Sequence, residues 1–114
     1  MTDRITSGAT NVRPEPRIVF HKTELNRILS VYGHLVGTGT ARDYAIAMLK
    51  DRAVFSIYKR SAERPNWTIE KIPALARKQG AWTVRGSGGQ VLKRGHDLAP
   101  VLKVFDRYRL KIIS

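Results

Sequence analysis

Cysteine is absent from this 114-residue chain. Without thiols there is no disulfide framework, no thiolate zinc site and no cysteine nucleophile, and the usage fits a reducing, cytoplasmic setting. Histidine is scarce: His21, His34 and His96 are all the chain contains. None stands in HxH or HExxH spacing, so the expectation is no metal and no cofactor. No apolar run approaches the ~18 residues a membrane span needs. Met1–Glu15 holds no apolar core of the kind a secretory leader carries, and no membrane insertion is expected. Acidic residues are few, and Asp97 beside His96 is the nearest approach to an acid–base pair. It has no second carboxylate or nucleophile to complete it, so the expectation is a protein that is not an enzyme.

What is abundant is positive charge. Twenty-one Lys and Arg oppose nine Asp and Glu, for a net charge of +12. The excess is uneven: residues 1–70 carry eleven basic and seven acidic side chains, residues 71–114 ten and two. Such a field favours polyanions, nucleic acid first and acidic proteins second. Hydrophobic residues make up 42%, enough for one modest core. The expected organisation is a disordered tail over residues 1–17, rich in Thr, Ser, Gly, Asn and Pro, and a single domain over 18–114.

Thr23–Val36 reads as a helix. Leu25, Ile28, Leu29, Tyr32, Leu35 and Val36 recur at helical spacing, Thr23 is the predicted N-cap, and Gly37 and Gly39 end the element. Arg42–Arg60 reads as a hairpin turning at Lys50-Asp51-Arg52, although Tyr44, Ala45, Met48 and Leu49 also fit one side of a helix. Trp67–Ile72, Ala81–Arg85 and Gln90–Arg94 are further strands, the last two joined by Gly86-Ser87-Gly88-Gly89. Asp97 is predicted to cap a last helix carrying Leu98, Val101, Leu102 and Phe105. Leu110, Ile112 and Ile113 form a terminal strand or pack down. The fold class that follows is α+β, an antiparallel sheet of about five strands with an N-terminal and a C-terminal helix packed on one face.

Four blocks, VFHKTELNRILSVYG (Val19–Gly33), RDYAIAMLKDRAVFSIYKR (Arg42–Arg60), IEKIPALARKQGAWTV (Ile69–Val84) and GGQVLKRGHDLAPVLKVFD (Gly88–Asp106), resemble an uncharacterised family of small alphaproteobacterial proteins catalogued as a domain of unknown function, number 2794. The resemblance implies a compact bacterial domain in a cytoplasmic setting. It carries over no catalytic residue.

Candidate binding residues come from charge and position. The glycine turn lacks the Gly-Lys-Ser/Thr of a phosphate loop and opens no helix, so it reads as a hairpin turn. Lys93, Arg94 and His96 precede a helix start, where free amides attract anions, and Asp97 stands there to compete. This is a candidate phosphometabolite site over Lys93–Asp97. Trp67, Trp82 and Phe55 alternate with polar neighbours and read as core, whereas Tyr58 lies on the opposite face from Phe55 and Ile57. Tyr58 is therefore the candidate stacking residue, with Lys59, Arg60, Arg77, Lys78, Arg85, Lys93 and Arg94 as phosphate contacts. Asp43, Asp51, Glu63 and Glu70 read as surface pairing partners. The leading expectation is a non-enzymatic nucleic-acid-binding module, with an adaptor for an acidic protein partner as the alternative.

Overall fold

A computed structural model describes residues 16–60 and 64–108. The expected tail, apart from its last two residues, and the apolar run Leu110–Ile113 lie outside the described residues. The first element is α1, Lys22–Gly37, which buries Ile28, Val31 and Leu35. Its N-cap is His21 and not Thr23. Glu24 reaches back to accept the His21 N–H at 2.8 Å, which satisfies a donor the helix start leaves open. At the other end Gly39 adopts φ +76°, and the Thr40 N–H donates to the Leu35 carbonyl at 2.8 Å. That reversal requires a left-handed residue, which glycine supplies without a Cβ penalty.

Five strands follow: β1 Asp43–Met48, β2 Ala53–Tyr58, β3 Trp67–Lys71, β4 Trp82–Gly86 and β5 Val91–Gly95. They form one antiparallel sheet in sequence order. The ambiguity over residues 42–50 resolves as strand. Leu49 N–H to Arg52 carbonyl closes the first turn at 2.8 Å, and pairing with β2 overrides the helix-compatible spacing of Tyr44, Ala45 and Met48.

Register sorts the side chains. Ile46, Phe55, Ile69 and Val84 stand in one cross-strand row, and Tyr44, Ile57 and Trp67 in the next. Phe55, Ile57, Ile69 and Val84 are fully buried. Tyr32 of α1 meets Tyr44 and Phe55 at ring-centroid distances of 4.9 and 6.1 Å. Trp67 meets Phe105 and Tyr108 at 5.7 and 5.3 Å. Lys71 shares this face, and its ammonium is fully engaged at the rim. Nζ donates to the Val19 carbonyl at 2.9 Å and to Glu24 Oε1 at 2.8 Å, and it lies over the Trp82 ring at 5.9 Å from the centroid.

The last helical stretch is split. α2 covers only Leu98–Leu102, and Lys103–Tyr108 continues as a 3-10 helix. The Lys103 N–H turns to the Pro100 carbonyl, three residues back, which is the tighter spacing. Asp97 holds the N-cap position but its side chain makes no capping bond. Leu98, Val101, Leu102 and Phe105 are all buried, as their spacing predicts. No helix among the described residues is long and apolar enough to cross a membrane.

Candidate nucleic-acid interface

Because successive strand residues point to opposite faces, the second face of the sheet is set by the same register. One row across it reads Ala45, Ser56, Thr68, Arg85, Val91. The next reads Ala47, Val54, Glu70, Thr83, Arg94. Tyr58 extends this face beside Asp43. A register shift after Val84 leaves Leu92 unopposed and places Arg85 against Val91. This is a polar face, and its arginines lie on it.

Glu70 is the anchor. Its residue is 6% exposed although it faces away from the apolar core. Oε1 accepts Arg52 Nη1 at 2.9 Å. Oε2 accepts Arg85 Nε at 3.1 Å and the Thr68 hydroxyl at 3.0 Å. A buried carboxylate is tolerated only when paired and hydrogen-bonded, and here both oxygens are occupied. Arg52 also meets Asp51 Oδ2 at 3.2 Å, so in this cluster two guanidinium groups are balanced by two carboxylates. Arg85 is held at a second point, where Nη1 donates to the Gly89 carbonyl at 3.1 Å. Arg94 is pinned the same way: Nε donates to Thr83 Oγ1 at 3.1 Å, and Nη1 donates to Gln79 Oε1. Thr83 is thereby fully buried under an arginine.

Arg64, Pro65, Thr68, Glu70, Arg85 and the turn Gly86–Gly89 enclose a cleft of about 330 Å³ on this face. The turn is closed by its own bonds. Gly89 N–H donates to the Gly86 carbonyl at 3.0 Å, and Gly88 N–H to Gln90 Oε1 at 2.9 Å. It is a hairpin turn, and the amides of Gly86, Gly88 and Gly89 are engaged within the loop.

The structure brings Tyr58, Arg85 and Arg94 to one face. Lys59 and Arg60 are exposed just past β2, where Asn66 Oδ1 accepts the Lys59 N–H at 2.7 Å. Arg77 and Lys78 are exposed in the loop whose Gln79 holds Arg94. Lys93 is not brought in. It pairs with Val84 on the opposite face and lines a separate hollow with Pro100, Lys103 and Val104. Lys93 and Arg94 therefore point apart and do not converge on one anion. His96 and Asp97 border a third cleft, of about 280 Å³, with Thr23, Glu24, Arg27 and Trp82. Among the described residues no three His, Asp or Glu are grouped to hold a metal ion.

Sequence reasoning missed Glu70, Arg52, Thr83 and Gln79. Glu70 and Asp51 read as ordinary surface pairs. Asp51 is one, meeting Arg52 Nε at 3.2 Å while well exposed. Glu70 is not. The available signal was the alternation of β3, which places Glu70 on the face of Ser56 and Arg85. Burial on that face arises only once the long arginines fold over it.

One family model, described as protein of unknown function (DUF2794), matches residues 18–102. No curated protein and no solved structure matches the chain.

Proposed function

We propose that this chain, which belongs to the family described as protein of unknown function (DUF2794), is a non-enzymatic module that binds nucleic acid on the polar face of its sheet. The observation that supports this reading is the arginine layer anchored by Glu70 and Thr83. Arg85 and Arg94 are each fixed through Nε and Nη1, and among the described residues Nη2 of each carries no bond. Guanidinium groups fixed in this way lose little further freedom when they bind a phosphate. Tyr58 lies on the same face, and Lys59, Arg60, Arg77 and Lys78 stand at its two ends. A chain of net charge +12 adds long-range attraction for a polyanion.

The test is fluorescence anisotropy with a labelled oligonucleotide over a salt series. Three to five phosphate contacts to a single strand give a log K against log salt slope of about −2 to −4. A flat response, or no binding at low salt, removes the reading.

A second reading, an adaptor for an acidic protein, is favoured by one observation. On the edge strand β1, Tyr44 and Ile46 are 41% and 38% exposed, and Val36 of α1 is 45% exposed. Apolar groups left open beside a strand edge suit a protein partner. That reading calls for one dominant protein in a pull-down that survives nuclease treatment.

A further inference from the structure

We propose that the cleft between Pro65 and the Gly86–Gly89 turn is a subsite for one unstacked nucleobase of a single strand, with the guanidinium of Arg85 as its stacking surface. This rests on the nucleic-acid reading above and specifies the form of nucleic acid and the point of contact.

Three observations carry it. First, the shape is concave. Reading a duplex calls for a protruding helix or ribbon that enters a groove about 12 Å wide. A recess accepts what a single strand can splay out, a base with its flat face exposed. The volume of about 330 Å³ stands at the small end of ligand-sized pockets and opens to solvent on the polar face.

Second, Arg85 is fixed in plane from two directions. Glu70 Oε2 accepts Nε at 3.1 Å and the Gly89 carbonyl accepts Nη1 at 3.1 Å. Both bonds lie along the edge of the guanidinium. Stacking uses the plane and not these edge N–H groups, Arg85 keeps 28% of its side chain exposed beside the cleft, and bases stack on arginine planes as they do on aromatic rings. Glu70 acts as a positioning residue here. Arg52 occupies Oε1, so Glu70 is held from both sides and presents only Oε2 to Arg85.

Third, the walls suit a flat ligand. Gly86, Gly88 and Gly89 contribute backbone alone, Ser87 adds only a small hydroxyl, and Pro65 lines the same cleft as a rigid apolar group. Arg64, exposed at the rim, is placed for the phosphate of the same nucleotide.

The experiment compares a mixed-sequence DNA single strand with an abasic strand of equal length and charge, at one salt concentration, using the full chain. Base stacking is expected to favour the base-bearing strand by about tenfold. Arg85→Lys keeps the charge and loses the plane. It should weaken binding of both strands modestly through the altered phosphate contact and weaken the base-bearing strand more, so that the preference falls to within about twofold of unity. Pro65→Ala removes a wall from outside the sheet and leaves the ion cluster intact, so it serves if the arginine variant fails to fold; it should cut the preference severalfold. Equal, salt-sensitive binding of both strands by the unaltered chain overturns the subsite and leaves the polyanion reading standing. A preference undiminished in either folded variant overturns the assignment to this cleft. Binding of neither strand overturns both.

Discussion

Tyr32 joins α1 to the sheet through its ring, and its hydroxyl senses that contact. Burial first, then the charges of Asp43 and Tyr44, raise its pKa above the ordinary 10.0. The folded state therefore favours the neutral phenol. In the unfolded chain the proton is lost from 10.0 upward, so the stability Tyr32 contributes is intact below that pH and declines as pH rises through the raised folded value. Urea denaturation from about pH 9 to about pH 11 should show wild type losing stability faster than Tyr32→Phe. Parallel curves would mean that the hydroxyl is not linked to folding. Glu70 makes a related point about single residues. Its worth lies in two guanidinium groups held on a sheet face, which neither its neighbours in sequence nor its charge announces.

The hairpin and loop elements depend on close backbone approach at one place. Gly80 closes the loop between β3 and β4 with φ +97°, and a Cβ there would lie 2.1 Å from the Gly95 carbonyl carbon and 2.6 Å from the His96 nitrogen. Both the conformation and the space exclude a side chain. Gly80→Ala is expected to cost at least about 3 kcal/mol in urea denaturation, since backbone atoms cannot step aside as a flexible side chain can. Gly33 is the contrast. It sits within α1, and a methyl group added there would meet nothing within 4 Å, so Gly33→Ala should add about 0.5–1 kcal/mol. Equal effects at the two sites would contradict the packing of Gly80 against β5. The α1 start follows the same local logic. Glu24 serves both the His21 amide and Lys71 of β3, so one carboxylate closes the helix and ties it to the sheet.

For the whole molecule, what matters is which side of the sheet receives a polyanion. Arg77→Glu and Lys93→Glu each change net charge by the same amount, so long-range steering falls equally in both. Arg77 stands in the loop that holds Arg94, and Lys93 leaves the opposite face. Oligonucleotide affinity should drop severalfold more in Arg77→Glu than in Lys93→Glu, with the salt slope reduced by about 0.7 in the former alone. The reverse order would move the interface to the other face.

Local pattern was sufficient for most elements, although only pairing with β2 chose strand over helix for residues 42–50. Alternation marked Phe55 and Ile57 as core and set Tyr58 opposite them, spacing placed Leu98, Val101, Leu102 and Phe105 on one buried stripe, and the glycine run marked a hairpin turn. Each of these depends on neighbours a few residues away, so each is written in the chain itself. The same local reading put the helix cap at Thr23, grouped Lys93 with Arg94, and took Glu70 for a surface pair. Those three required tertiary information. Capping depended on where Glu24 could reach while paired with Lys71. The fate of adjacent cations depended on the pleat of β5 once it was docked on β4. The burial of Glu70 depended on arginines from the β1–β2 turn and from β4 meeting over β3, 18 and 15 residues away in sequence. Charge sign and periodicity are properties of the chain, whereas the convergence of side chains on one point is a property of the folded sheet.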